Sequence, residues 1–370
     1  MAFNKRWSST SDGDYSDSLN WAPTSVRNAR YAWTASGSGT NEYYLRTSGN
    51  ADPGFAAQPD TVQINGTNAT EGTAGSLTAG QWDYGDNDTL GYSTIYVRLS
   101  DGADPDTKGT DYVTFRQIPK AGDDVRIPAS TASITEGLDQ SAVAIGDFIV
   151  EEGYEGNIGS DSLGYLKIDP DRFEFNATGG ASYIDVGAAA NLDCQIYGTG
   201  APIVTGARGL YLLGSSIDVL NVVGGSVGVA VRHGEVSMVA TARLIDSSAS
   251  LWVGEGCSLT TWQQHNGSGR LRTGGTVATV LIYDGDLLTE EAVAITALTQ
   301  KGGEVVANST GTVATYNIYG GMLDLQKSGA ARTITALNKY RGDWELRRNK
   351  EAVTITAETA QDTYVETVNT

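Results

Sequence analysis

The chain is predicted to be all-β: a parallel β-helix, a solenoid with rungs of about 20 residues, carrying an inserted small antiparallel β domain near its N-terminus. Three observations lead there. Eight four-residue words, VLNV, VATA, SLTT, VATV, AITA, VATY, TITA and TITA, start at Val219, Val239, Ser258, Val277, Ala294, Val313, Thr333 and Thr354, at steps of 17 to 21 residues. Such a step marks a chain that stacks each turn on the last. Glycines at Gly285, Gly303, Gly321 and Gly342 each precede a short alternating run, which reads as a bend and then a second strand in every turn. Between Asn41 and Phe115, short alternating runs are separated by Gly, Asn, Asp and Pro, the pattern of a small antiparallel domain.

Within the words, the second letter is apolar at Leu220, Ala240, Leu259, Ala278, Ile295, Ala314, Ile334 and Ile355. The third is a small hydroxyl or amide: Asn221, Thr241, Thr260, Thr279, Thr296, Thr315, Thr335 and Thr356. Neighbouring side chains of a strand point to opposite faces. The second letters are therefore expected to fill the core, and the third letters to form one outward structural ladder that keeps successive rungs aligned.

Taken in order, residues 1–24 are expected to start and cap the β-helix, with a turn signal at Asn20-Trp21-Ala22-Pro23. Residues 25–117 form the inserted domain, a sandwich or barrel with runs at 41–45, 61–64, 80–82, 93–99 and 111–115. Residues 118–357 form the β-helix, regular from about Val219. Residues 358–370 form a tail or cap strand, whose alternating Tyr364–Val368 stretch suits edge pairing or strand addition.

Composition narrows the function. The 370 residues include 46 glycines and only 2 histidines, and the formal charge is −19, so no basic stripe exists to neutralise phosphates and nucleic acid is not an expected partner. The one basic cluster, Arg341, Arg347, Arg348 and Lys350, is interleaved with Asp343 and Glu345 and reads as a solvated face. Cys194 and Cys257 are expected to be buried free thiols. The first residues lack an apolar leader and no run is long enough to span a membrane, so neither a cleaved signal nor a membrane partner is expected.

Candidate chemistry is sparse, and no catalytic residue is assigned. Glycoside hydrolysis needs two carboxylates about 5 to 9.5 Å apart. The best constellation for it is a file of Glu304, Asp324 and Glu345, with Asp286 below. Alternation sets these acids opposite core Leu and Val, where solvated residues belong. His233 and His265 lie 32 residues apart, not a whole number of turns, and neither neighbours an activated nucleophile. The expectation is a non-enzyme. Calcium is the one cofactor with a footing, because hard cations take several loop oxygens: Asp83, Asp86, Asn87 and Asp88 share one loop, Asp101, Asp104 and Asp106 another, and Asp12, Asp14 and Asp17 a third. The competing reading of these residues is turn chemistry.

Several segments carry a resemblance. Trp7 to Pro23, followed nearly a hundred residues later by Ile118-Pro119-Lys-Ala-Gly-Asp-Asp-Val-Arg-Ile-Pro128, resembles the opening of many β-helix proteins, where the two halves run together. Their separation here implies an insertion between them. The words NEYYLRTSGNADPG and GSLTAGQWDYGDNDTLGYSTIYVRLSDGADPDTKG are similar to a small module of tailed-bacteriophage structural proteins. Asp147 to Gly159, with Tyr165–Ile168, is similar to early rungs of phage β-helix proteins. The resemblance implies a virion structural protein assembled in the host cytoplasm, a capsid decoration or cement protein on the outside of the head. Its expected partners are the major capsid protein or another virion protein and copies of itself, with a trimer favoured by shell symmetry. The alternative it leaves open is a tailspike or tail-fibre component that binds or cleaves host polysaccharide.

Overall fold

A computed structural model describes residues 4–21, 24–25, 31–47, 58–108, 112–188, 192–199, 209–325, 331–340, 342–348 and 353–360. Arg341, Lys350 and the Tyr364–Val368 stretch lie outside the described residues. The chain is nearly all β, a parallel β-solenoid of about ten turns with an inserted antiparallel domain. It divides into two compact units, one of Met1–Ser9 with Tyr15–Gly122, the other of Thr10–Asp14 with Asp123–Thr370.

The first unit is a sandwich of two sheets. One contains Tyr31–Ala35, Tyr43–Thr47, Thr94–Arg98, Gln81–Gly85 and Thr70–Glu71, and the other Thr24–Ser25, Val113–Arg116, Thr61–Ile64 and Thr67–Asn68. Alternation turns Leu45, Val62, Ile64, Trp82, Ile95, Val97, Val113 and Phe115 into one shared core. Residues 1–24 were expected to start and cap the β-helix, and Asn4–Arg6 is the first strand of the 22-stranded solenoid sheet, with Gly13–Asp14 pairing with Ile134–Glu136, while most of the segment clusters with the sandwich. Trp7, Tyr15 and Trp21 pack edge to face, and the Arg116 guanidinium donates to the carbonyls of Leu19 and Trp21, both at 2.7 Å. These contacts bind the opening segment to the sandwich.

The second unit is built from two stacks of parallel strands. One stack runs through Ser237–Leu244, Cys257–Gln264, Thr276–Ile282, Ala294–Gln300, Val313–Ile318, Arg332–Lys339 and Val353–Ala360. The other runs through Gly225–Val229, Ala249–Val253, Ser268–Leu271, Asp286–Thr289, Glu304–Ala307, Gly321–Leu325 and Trp344–Arg348. Gly285, Gly303 and Gly321 join the stacks with positive φ of 83°, 69° and 84°, a backbone state that favours glycine. A Cβ on any of them would strike the backbone of the turn beside it.

The expected single ladder is divided. The inward file is Val239, Leu259, Val277, Ile295, Val313 and Ile334, so the VAT words fill the core with their first letter and the SLT and IT words with their second. Ala240, Ala278 and Ala314 are not in the core. Register places Thr241, Thr279 and Thr315 opposite Thr261, Ala297 and Ala336, one position along from Thr260, Thr296, Thr335 and Thr356. Asn221 pairs with Arg243. The cause is a bend in each strand. Two consecutive residues, such as Thr296 and Ala297, face outward between buried Ile295 and Leu298, which breaks strict alternation as a bulge does.

A different ladder holds the rungs. Arg243 Nε donates to Gln263 Oε1 at 3.0 Å, Asn338 Nδ2 to Asn317 Oδ1 at 2.9 Å, and the Thr359 hydroxyl to Asn338 Oδ1 at 2.6 Å. Inside the core, Gln264 and Gln300 are fully buried. Each sends its amide nitrogen to two carbonyls, Gly267 and Asp286 for one, Gly303 and Met322 for the other, at 2.9 to 3.0 Å. Buried amides must find partners, and these use theirs to fasten a turn to the next.

Candidate functional site

A polar cluster of the solenoid lies where the Ser160–Gly164 and 231–236 loops meet. The Ser160–Gly164 loop closes on itself through paired backbone bonds of 3.0 and 2.9 Å and displays Asp161, whose side chain is 81 % exposed. The 231–236 loop follows Ala230, at φ 47°, and turns at Gly234, at φ 82°. Its Glu235 folds back to accept the Arg232 N–H at 2.9 Å.

Arg232 ties the loops together. Its Nη2 is 2.5 Å from Asp161 Oδ1 and its Nε 4.0 Å from Glu235 Oε1. Tyr183 and Tyr211 stack at 4.5 Å with 6° between their planes. The guanidinium carbon is 4.7 and 5.0 Å from their centroids. Tyr165 packs edge-on against Tyr183 and donates its hydroxyl to Glu235 Oε1. Burial, and then this bond to a carboxylate, push the Tyr165 phenol well above its ordinary range, so it stays a neutral donor. Both oxygens of Glu235 are thereby engaged, and the cluster is a clamp rather than a free acid–base pair.

The carboxylate file is not as expected. Asp286 pairs with Glu304, but Glu304 pairs with Met322, which pairs with Glu345. Asp324 lies two residues along and pairs with Arg347, while Arg347 Nε bonds Glu345 Oε1 at 2.8 Å. A 20-residue spacing does not mean one file here, because Glu304 to Met322 is an 18-residue step. His265 stacks on Tyr283 at 4.8 Å, and Lys301 Nζ sits 4.6 Å from the Tyr283 centroid. Tyr319 and Tyr340 stack at 4.2 Å. These corner side chains follow each strand end and spend ring faces on one another. Cys194 and Cys257 are buried and free.

The candidate calcium-binding aspartates of the sandwich loops spend carboxylate oxygens on donors of the fold, within their own turn or on a neighbouring segment. Asp83 accepts from Ala74 N, Asp86 from Leu90 and Gly91 N, and Asp88 from Gly37 N and the Ser36 hydroxyl. Asp101 accepts from Ala103 N and Lys108, Asp104 from Asp106 N, and Asp106 from Trp33 N. In the other unit Asp12 accepts from Ser133 N. Among the described residues, no group of three or more His, Cys, Asp or Glu is placed to hold a metal ion. The Arg232 clamp went unforeseen because its members are separated by 70 residues, Tyr165 to Glu235, with no motif linking them.

No known protein family, curated protein or solved structure matches the chain.

Proposed function

We propose that the chain is a structural protein of a tailed-phage particle, a decoration or cement protein that binds the outside of the head as a trimer. The observation that carries the reading is how the solenoid uses its polar groups. The amide ladder, the buried glutamines and the corner ring stacks bond to neighbouring turns, so these polar and aromatic side chains stiffen the stack. Each turn leans on the next, which suits a scaffold under load. The phage-like words of the sandwich add sequence support. They also make that module the favoured contact with the major capsid protein, since surface loops on a rigid scaffold carry partner contacts.

An electron-microscopy map of particles carrying this chain tests the proposal. Density at many symmetry-related sites over the head is the expected result. Density confined to the tail tip would transfer the chain to the tailspike or tail-fibre reading, and absence from purified particles would end both.

A further inference from the structure

Beside the Arg232 clamp lies a cleft of about 500 Å³, walled by Arg232, His233, Glu235, Val236, Glu255 and Arg272. It exists because adjacent turns differ in length. Val229 pairs with Val253 and Ser237 with Cys257, so residues 230–236 are stacked against the much shorter 254–256. The longer turn projects as a lip. Gly254 and Gly256 keep the shorter one close against it, since a Cβ at either would strike the carbonyl of Ala230 or Glu235.

The groups on these walls are open. Among the described residues, no hydrogen bond or ion pair engages the Glu255 carboxylate or the His233 ring. Arg272 reaches Glu291 at 2.8 Å through Nη2, while its buried Nε has no partner. Val236 adds an apolar patch, 76 % exposed. The volume falls within the ~300–1,000 Å³ of small-molecule clefts.

The chemistry selects the ligand. The guanidiniums of Arg232 and Arg272 are already outnumbered by the carboxylates of Asp161, Glu235, Glu255 and Glu291, so an anionic ligand is repelled. Glu255 alone is an open carboxylate, too few for a hard cation that takes about 6–8 oxygens. An apolar ligand would strand the exposed Glu255 carboxylate and His233 ring without partners. A neutral polyol satisfies both, because each hydroxyl donates to a carboxylate and accepts from a guanidinium or imidazole, while its C–H face rests on Val236. We infer that this cleft binds a short neutral saccharide. The inference concerns the purified chain and stands apart from where on a particle it sits.

The test is an array of immobilised neutral, acidic and amino di- to tetrasaccharides probed with the full chain, followed by calorimetric titration of the sugar retained. Retention of neutral sugars is expected, with affinity falling about tenfold or more in Glu255→Gln and in His233→Ala, as loss of a hydrogen bond to a charged or polar group implies. Glu304→Gln, on a different face, should leave affinity unchanged. Both cleft residues are unpartnered, so an unaltered melting temperature is expected for each variant; should one fail to fold, the other carries the test. Retention of acidic sugars alone, of no sugar at all, or unchanged affinity in the folded cleft variants overturns the inference.

Discussion

Replacing the buried Gln300 by Leu removes an apparent oddity, a polar amide in an apolar core, and should nevertheless weaken the solenoid. Gln300 Oε1 is the acceptor for the Tyr316 hydroxyl at 2.6 Å, and its Nε2 donates to the carbonyls of Gly303 and Met322, both at 3.0 Å. Gly303 keeps the Met322 N–H at 2.8 Å, so its carbonyl survives the change. Tyr316 is buried and its hydroxyl is left without an acceptor, costing about 1–3 kcal/mol, with about 0.5–1.5 kcal/mol for each further bond lost. The sum is roughly 2–6 kcal/mol. Because a stack of turns can open locally rather than as a whole, amide hydrogen exchange is the fitting assay. Exchange at Gly303, Met322 and their neighbours should quicken by ~30-fold or more at ~1.4 kcal/mol per decade. Tyr316→Phe alone should also destabilise, by leaving Oε1 unbonded. The double variant should cost about 1 kcal/mol less than the sum, since it removes both partners together. Exchange unchanged within about 0.5 kcal/mol, or strictly additive variants, would refute the idea that this amide fastens the turns.

Other expectations follow from the same geometry. Asp88→Asn should lower the stability of the sandwich by about 1–2 kcal/mol through its weakened bonds to Gly37 and Ser36, while calcium and a chelator leave the melting temperature of the native chain alike; a calcium-dependent rise would restore a metal role to these loops. Burial lifts the Tyr96 phenol to about 12. The folded chain thus keeps a proton that the unfolded chain releases near 10, so this contribution is complete below pH ~10 and is lost as pH rises to ~12. An alkaline titration in which Tyr96→Phe falls as steeply as the parent would contradict it. Burial also raises Cys257 to about 12 and Cys194 further. Alkylation at pH ~8 should therefore be slow in the native chain and fast in denaturant, because the thiolate is the reactive form.

The solenoid was legible because repeated apolar words impose stacking whatever their phase. Their phase was not legible. Val277 and Ile295 occupy the same inward file, yet one opens its word and the other stands second, and both choices give a plausible alternation. What decides is the bend that turns Thr296 and Ala297 outward together, a backbone feature with no residue signature. The true side-chain ladder through Asn317 and Asn338 lies one or two positions beyond the words, at a 21-residue step, where identity varies among amide, hydroxyl and guanidine. The Asp-rich loops were read correctly as oxygen-rich, but only the fold shows those oxygens turned to nearby N–H groups. The cleft depended on a difference in length between two turns, which appears only once their strands are paired.

The sandwich has a further property. Its entering strand, Thr24–Ser25, pairs directly with its leaving strand, Val113–Arg116, Ser25 beside Thr114 and Thr24 beside Phe115. The chain comes in and goes out through one doorway. A module with adjoining ends is a cassette: recombination can exchange it whole for another of different specificity, and the host repeats need not change their length, their phase or a single stacked residue.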